Sequence, residues 1–423
     1  MKKLLLICAA ALMTLSISAQ EWANFSFGGA RKPSPEFLDG KIAFRYTAPN
    51  AKAVTLNGSW EGGRNVAMTK DENGIWEVII NAPAPELYTY TFNVDGVSVS
   101  DPQNVMVQRD GSRFLTMLIV PGEFTENYFE AKKQHGTVLH PWYPSKIMAT
   151  DNRRLTVYLP AGYYDNPQTR YPVLYLMHGA GGDEEAWVSM GRAAQILDNL
   201  IEKGQAKPMI VVMPNTNNNQ YAAQTLGIPN AQTAQMGMGG GQRPQGAPQG
   251  QGGQRQGPPQ GGQRPQGAPQ GGQRPGAQQG GQPNPFANAY ERSLAEEIVP
   301  FIEKNFRVIA NPDNRAIAGL SMGGGNTYTC STMYPDMFRY IAPFSAAIFG
   351  DMDKAKLQAI KDAGCKLYFI ACGSADSLIS TSNNLDKALT DIGLKHTYMV
   401  TEGGHTWSNW RLYLNTLVPQ LFK

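Results

Sequence analysis

The sequence predicts an α/β fold with a mostly parallel sheet and helices on both of its faces, preceded by a small all-β sandwich domain. Three observations in the 423 residues support this prediction. Residues 22–122 alternate apolar and polar side chains with the period of a strand. Residues 144–423 instead alternate strand-like with helix-like segments. Residues 319–323 have the pattern Gly-x-Ser-x-Gly between a strand-like run and a helix-like run, which indicates a sharp turn that carries an exposed serine.

Residues 1–19 have the pattern of a cleaved export signal. Lys2 and Lys3 precede an apolar stretch at 4–15, and small residues follow it. No later segment approaches the ~20 apolar residues that a membrane helix requires. We therefore expect an exported protein, periplasmic or secreted, without a membrane span.

The charge distribution argues against a nucleic-acid partner. The formal net charge is +3, but two lysines belong to the predicted leader and four arginines lie in a low-complexity tract. The remainder therefore carries a net charge of about −3. A nucleic-acid-binding domain would present a basic face instead.

The N-terminal domain, residues 22–122, is predicted to be a small antiparallel sandwich. Its strand-like runs are separated by turn signals, and residues 56–60 and 88–96 resemble the early-set immunoglobulin-like modules that precede many glycan-active enzymes. Such modules are similar to glycogen-binding domains, so the resemblance implies a possible carbohydrate-binding module with Trp60 and Trp76 as a sugar platform. The alternative is that both tryptophans fill the sandwich core.

Residues 123–143 are predicted to be a connector, and residues 144–423 to be the α/β domain. The alternation of strands and helices in this domain implies a parallel sheet covered on both faces. The predicted strands are 155–159, 173–177, 209–213, 316–318, 340–344, 366–371 and 397–400, and the predicted helices include 193–203, 290–305, 354–363 and 385–392.

A tract rich in Gly, Gln and Pro interrupts the α/β domain at 232–284. It has almost no apolar side chains, so burial cannot offset the entropy of ordering it, and the sequence predicts a disordered surface insertion. Loop-closure entropy grows slowly with length, which makes such an insertion tolerable.

Ser321 is the candidate nucleophile. The Gly-x-Ser-x-Gly string alone is a weak signal, but here it follows the apolar run 315–318. Small residues on both sides of the serine suit the strained strand-to-helix turn that holds a nucleophilic serine.

The serine needs a base and a group that orients the base. In sheets with this turn the acid and then the histidine follow the serine along the chain, and only His396 and His405 follow Ser321. His396 begins a predicted strand, whereas His405 follows one, at the carboxyl edge where such sheets place their sites. We therefore predict that His405 is the base.

Asp376 is the predicted orienting acid, because it follows the predicted strand 366–371 at the same edge of the sheet. Glu402 is the alternative acid, but it lies only three positions before His405 and leaves little room for the turn that would bring the two together.

The oxyanion of an acyl-transfer reaction needs preorganised backbone donors. The residue after the nucleophile, Met322, is expected to supply one amide. The glycine-rich run 178–182 follows the predicted strand 173–177, and by position Ala180 is expected to supply the other. The alternative is that these glycines only make a tight turn.

Residues 138–423 resemble the esterase D family of α/β-hydrolases, which includes bacterial feruloyl esterases, acetylxylan esterases, siderophore esterases and mycolyl transferases. Four strings carry the resemblance, at 154–160, 176–179, 318–324 and 403–411. The resemblance implies an α/β-hydrolase fold. By family position Ser321, Asp376 and His405 match the catalytic triad, and Ala180 and Met322 match the oxyanion amides. The insertion at 232–284 departs from the family pattern.

The resemblance further implies an exported serine carboxylic ester hydrolase that acts on plant cell-wall polysaccharide esters, first of all a feruloyl esterase acting on xylan through an acyl-enzyme, with no metal or organic cofactor. Trp187, Trp407 and Trp410 are expected to flank an aromatic acyl group, with packing as the alternative. The other readings are an acetylxylan or other carbohydrate acetyl esterase, a siderophore trilactone esterase, and a non-catalytic glycan-binding surface protein.

Overall fold

The structure is a computed structural model that describes residues 32–110, 113–217 and 288–423. The predicted leader at 1–19 and the predicted insertion at 232–284 lie outside the described residues. The described chain forms an N-terminal β-sandwich and a larger α/β domain. Leu87, Met117 and Ile119 of the sandwich join one of the hydrophobic cores of the α/β domain, so the two domains pack against each other.

The sandwich is built from short antiparallel strands in two sheets. The described strands of the first sheet, in spatial order, are β1 (Glu36–Leu38), β2 (Lys41–Thr47), β6 (Ile75–Asn81) and β5 (Thr69–Lys70). Those of the second are β4 (Val66–Ala67), β3 (Val54–Gly58), β7 (Leu87–Val94), β10 (Arg113–Ile119) and β9 (Val107–Asp110), with β8 (Val97–Val99) paired to β7.

Trp60 and Trp76 both belong to the sandwich core. Their exposed fractions are 8% and 7%. The ring of Trp60 packs 5.8 Å from that of Phe44, and the indole nitrogen of Trp76 donates to the carbonyl of Ala48 at 2.9 Å. The expectation that these two tryptophans form a sugar platform is therefore wrong, because their faces are covered by the module's own side chains.

Nine strands among the described residues form the mixed sheet of the α/β domain. Their order is β11 (Thr137–Leu139), β13 (Thr150–Leu159), β15 (Ile210–Pro214), β14 (Val173–Met177), β16 (Arg315–Leu320), β17 (Tyr340–Phe344), β18 (Leu367–Gly373) and β19 (Thr397–Thr401), with β12 (Trp142–Ser145) beside β13. Strand β13 is antiparallel to its three neighbours, and the remaining pairs are parallel.

The second half of the predicted connector 123–143 is part of this sheet, so its description as a connector is wrong there. Val138 of β11 pairs with Tyr158, and Trp142 of β12 pairs with Arg154. The reason is the length of β13, which presents a long edge whose backbone groups need partners. A short 3-10 helix, Thr125–Tyr128, makes the actual link between the domains.

The helices cover both faces of the sheet, as predicted. Leu174 and Leu176 contribute to one core cluster and Tyr175 and Met177 to the other, because successive side chains of a strand point to opposite faces. The described helices are α1 (Ala186–Ser189), α2 (Ala193–Glu202), α3 (Ala289–Ser293), α4 (Val299–Asn305), α5 (Met322–Met333), α6 (Lys354–Asp362), α7 (Ile379–Asp391) and α8 (Trp407–Leu417).

The predicted helix 290–305 is divided, because a π-helical segment, Leu294–Ile298, joins α3 to α4. Within the described ranges, no helix combines the length and the apolar character that crossing a membrane would require.

Candidate active site

Ser321 occupies the turn between β16 and α5. Its backbone has φ 56° and ψ −117°, a conformation that residues other than glycine rarely adopt. The turn lies at the carboxyl end of a central parallel strand, and the amide of Met322 lies at the start of α5, where helix amides have no partner within the helix. Ser321 therefore lies at the carboxyl edge of the sheet, where sheets of this kind place their sites, and the amide of Met322 lies beside it.

Both glycines of the pentapeptide are required by close backbone contacts. A Cβ atom added at Gly319 would lie 2.5 Å from the carbonyl oxygen of Gly323, and one added at Gly323 would lie 2.4 Å from the carbonyl oxygen of His178. The clashing atoms belong to the main chain and cannot rotate away. The turn thus brings helix α5 against strand β14 at a distance that only glycine permits.

We expect Gly323→Ala to lower the free energy of unfolding by about 3 kcal/mol, because the methyl group overpacks two fixed backbone segments. Urea denaturation followed by circular dichroism measures this loss. An unfolding midpoint equal to that of the wild type would contradict the close approach of α5 and β14.

His405 connects Ser321 to Asp376. Its Nε2 atom lies 2.9 Å from the Oγ atom of Ser321, and its Nδ1 atom lies 2.9 and 3.0 Å from the two carboxylate oxygens of Asp376. An ionised carboxylate only accepts hydrogen bonds, so Nδ1 carries the proton and donates it, and Nε2 accepts from the serine hydroxyl. The structure therefore brings together the three side chains that the sequence selected.

Two backbone hydrogen bonds hold the loop of Asp376 against the loop of His405. The amide of Ser374 donates to the carbonyl of Thr401 at 2.7 Å, and the amide of Ala375 donates to that of Gly403 at 2.9 Å. These loops follow the parallel neighbours β18 and β19, so the register of the two strands determines where the carboxylate meets the imidazole.

The carboxylate of Asp376 is buried and well bonded. Its side chain is 0% exposed, and it also accepts a hydrogen bond from the amide of Leu378 at 2.9 Å. The alternative acid, Glu402, is exposed. The other downstream histidine, His396, is bonded to Asp386 at 2.9 Å, away from the serine.

Two of the three predicted aromatic contacts border the cavity beside Ser321. Trp407 and Trp410 line it, and Trp410 packs edge-on against the ring of His405 at 4.8 Å. The indole nitrogen of Trp410 donates to the Oγ atom of Ser345 at 3.2 Å, which fixes the ring that supports the imidazole.

Trp187 does not border the cavity, so the expectation that it contacts substrate is corrected. Its side chain is 1% exposed and its indole nitrogen donates to the carbonyl of Met177 at 3.0 Å. It packs against Trp407, with 5.2 Å between ring centroids. Trp187 therefore supports the wall of the cavity from behind.

The glycine-rich run packs directly against the nucleophile. A Cβ atom added at Gly179 would lie 3.0 Å from that of Ser321. The carbonyl of Gly179 lies 2.7 Å from Nδ1 of His178 and accepts from the amide of Gly182 at 3.1 Å. Because the peptide bond is trans and planar, the amide of Ala180 points in the opposite direction from that carbonyl.

His178 is a structural feature of the site that sequence reasoning did not single out. It is buried, and its Nε2 atom accepts a hydrogen bond from the amide of Thr216 at 2.9 Å. With Nδ1 bonded to the Gly179 carbonyl, both ring nitrogens have partners that suit a neutral imidazole. Its position at the end of an apolar strand, directly before a glycine run, is the sequence signal that could have identified it.

Burial lowers the pKa of His178 below its ordinary value of 6.5. The unfolded chain therefore binds a proton at His178 near pH 6.5, whereas the folded protein does not. The contribution of the neutral imidazole to the free energy of unfolding is thus fully present above this pH and decreases as the pH falls. We expect the wild type to lose up to about 1.4 kcal/mol more per pH unit between pH 6 and 5 than His178→Gln. Urea titrations at several pH values test this; equal slopes for the two proteins would contradict it.

The cavity beside Ser321 has a volume of about 200 Å³. Its apolar wall comes from Ala186, Met190, Leu320 and the two tryptophans Trp407 and Trp410. Asp110, which belongs to the sandwich domain, also lines it. Among the described residues there is no group of three or more His, Cys, Asp or Glu side chains arranged to hold a metal ion.

Two protein families match the chain, one for each domain. The Esterase family model matches residues 145–244 and 257–365. The model for carbohydrate-binding module 48, described as the isoamylase N-terminal domain, matches residues 27–108. Asp376 and His405 lie beyond the matched residues, so their assignment depends on the geometry given above.

The chain is similar to known proteins across both domains. The endo-1,4-beta-xylanase/feruloyl esterase of Xylanibacter ruminicola is 29% identical over 395 residues, which are 91% of this chain but 45% of that protein. The acetyl esterase of Caldicellulosiruptor saccharolyticus is 25% identical over 158 residues, which are 29% of this chain and 59% of that protein.

Among solved structures, the enterobactin esterase of Shigella flexneri matches with a TM-score of 0.56 and 14% identity, over 93% of this chain and 97% of that one. At this identity the likeness concerns the fold, over nearly the full length of both chains.

Proposed function

Because this chain belongs to the esterase family, we propose that it is a serine carboxylic ester hydrolase that releases hydroxycinnamoyl groups, feruloyl above all, from plant cell-wall xylan. The observation that carries the reaction class is the placement of His405 between the hydroxyl of Ser321 and the buried carboxylate of Asp376. A serine hydroxyl is a poor nucleophile by itself, and this arrangement supplies both the base and the group that orients the base.

The proposed mechanism proceeds through an acyl-enzyme. Nε2 of His405 takes the proton from Ser321 as its Oγ atom attacks the ester carbonyl, and the imidazolium then gives this proton to the departing alcohol. A water molecule, deprotonated by His405, attacks the acyl-serine ester, and the proton returns to Ser321 as the carboxylic acid leaves. Asp376 holds the imidazole in the required tautomer and stabilises its charged form.

We assign the two oxyanion donors to the amides of Met322 and Ala180. The amide of Met322 is the first of helix α5, which favours negative charge at this end. The amide of Ala180 is oriented by the two hydrogen bonds that hold the Gly179 carbonyl on the other side of the peptide plane. Donors that are fixed before the reaction stabilise the oxyanion without reorganisation.

Two observations support an aromatic acyl group from a plant polysaccharide. The similarity to the xylanase/feruloyl esterase of X. ruminicola extends over both domains of this chain. The cavity beside Ser321 also has an apolar wall that includes two tryptophans, and aromatic rings pack well against such a wall. The chain spans 45% of the length of that relative, so the proposal concerns the esterase part and not the xylanase activity in the relative's name.

We further propose that the protein is exported, periplasmic or secreted, on the basis of the leader-like residues 1–19. This location suits a substrate that is too large to enter a cell. Fractionation of cells that express the full chain tests it, with a variant lacking residues 1–19 as the control; retention of the full chain in the cytoplasm would contradict it.

A comparison of methyl ferulate, acetylated xylan and a catecholate trilactone as substrates tests the acyl specificity. We expect methyl ferulate to have the highest kcat/KM of the three. Rates on acetylated xylan far above those on methyl ferulate would instead identify a carbohydrate acetyl esterase. A preference for the trilactone would identify a siderophore esterase.

A further inference from the structure

The edge strand of the sandwich, β9, reaches the cavity of the esterase domain. It pairs with β10, and Asp110 at its end lies opposite Arg113 at the start of β10. Asp110 lines the same cavity as Ser321 and His405. Residues of both domains, the sandwich and the α/β domain, therefore line the cavity beside Ser321.

Strong contacts hold β9 in this position. The guanidinium of Arg109 donates to both carboxylate oxygens of Asp183, at 2.8 and 2.7 Å, and Asp183 directly follows the glycine-rich run beside the nucleophile. The amide of Arg109 donates to Ser189 at 2.7 Å, and the hydroxyl of Ser189 donates back to the carbonyl of Arg109 at 3.0 Å.

The Arg109 to Asp183 pair is largely removed from water, because its side chains are 14% and 6% exposed. A bidentate pair of this kind has a defined geometry. The residue next to Arg109, Asp110, is thereby held at the rim of the cavity.

Asp110 and Arg113 form an ion pair that solvent reaches, since their side chains are 38% and 69% exposed. Such a pair contributes little to stability. It does, however, place a strong hydrogen-bond acceptor, the Asp110 carboxylate, in the lining of the cavity, with the donors of Arg113 directly beside it. A sugar hydroxyl both donates and accepts, so it can bond to the two groups at once.

The distribution of polarity in the cavity indicates which part of the substrate meets this pair. The apolar wall suits the acyl group, whereas Asp110, which is 38% exposed and paired with Arg113, is a charged residue that the sandwich domain contributes to the lining. A polysaccharide that carries the ester must remain at the open side, because it is far larger than a cavity of about 200 Å³.

We propose that Asp110 and Arg113 of the sandwich domain bind hydroxyl groups of the sugar that carries the scissile ester. This inference rests on the proposed function, because it takes the alcohol part of the substrate to be a sugar. It gives the N-terminal domain a direct place in the active site, on a surface distinct from the buried tryptophans of its core.

The test compares a feruloylated arabinoxylo-oligosaccharide with methyl ferulate, which has no sugar. We expect Asp110→Ala to lower the kcat/KM of the oligosaccharide relative to that of methyl ferulate about tenfold, by raising the KM of the oligosaccharide. The reason is that a hydrogen bond to a charged group contributes about this factor to binding. Arg113→Ala should shift the ratio in the same direction. The control is Asp391→Ala, which removes a carboxylate that is 31% exposed and paired with Lys354 and Lys387, outside the cavity.

An unchanged ratio in both Asp110→Ala and Arg113→Ala would overturn the proposed sugar contact. If the wild type cleaves neither feruloyl ester, the proposed acyl specificity fails separately. The same variants are then compared on an acetylated xylo-oligosaccharide and 4-nitrophenyl acetate, where a fall in the ratio would still support the sugar contact and an unchanged ratio would overturn it.

Discussion

Replacement of Ser321 by alanine is expected to lower kcat for a 4-nitrophenyl ester by at least about 10⁴-fold. Loss of the nucleophile removes the acyl-enzyme route, and only positioning and oxyanion stabilisation remain. Stability should not fall, because main-chain hydrogen bonds hold the turn, such as that from the Ser321 amide to the carbonyl of Phe344 at 2.9 Å, and the substitution leaves them in place. Initial rates together with a thermal melt measure both quantities.

The matched control is Ser380→Ala, which removes the hydroxyl of an exposed serine on helix α7. It should keep the wild-type rate. Turnover by Ser321→Ala within tenfold of the wild type would exclude Ser321 as the nucleophile and with it the proposed reaction class. Absence of turnover by the wild type would instead support the reading of the chain as a non-catalytic glycan-binding protein.

Asp376→Asn is expected to lower kcat by about 10³ to 10⁴-fold while leaving the shape of the site intact. An amide in this position no longer fixes the proton on Nδ1 of His405, and it no longer supplies the negative charge that stabilises the imidazolium. The KM for a small ester should change little, since Asp376 is buried behind the histidine and does not line the cavity.

The chain offers a matched control for this variant in its second histidine and aspartate pair. His396 is bonded to Asp386 at 2.9 Å, a contact of the same chemistry at a different place in the domain. Asp386→Asn should therefore leave kcat unchanged. A similar loss of activity in both variants would show that a general effect on stability, rather than the orientation of His405, lowers the rate.

Local patterns predicted much of the fold and of the candidate site. The strand and helix periods placed β14, β17 and α2 close to where the structure has them, because burial on one or both faces imposes these periods on the sequence. The pentapeptide predicted the turn at Ser321, since only glycine fits on either side of it. Chain order and the ends of β18 and β19 selected Asp376 and His405, because parallel strands bring their carboxyl ends to one edge.

The sequence by itself therefore determined the features that depend on local patterns and on chain order. These are the class of each domain, the strained turn at Ser321 and the order of the three site residues. Tertiary structure alone decided the features that depend on residues far apart in sequence. It buried Trp60, Trp76 and Trp187, and added β11 and β12 to the sheet. It also brought Asp110 to the cavity beside Ser321. The physical reason is that burial and docking depend on which surfaces meet, and the period of a segment does not specify its partner.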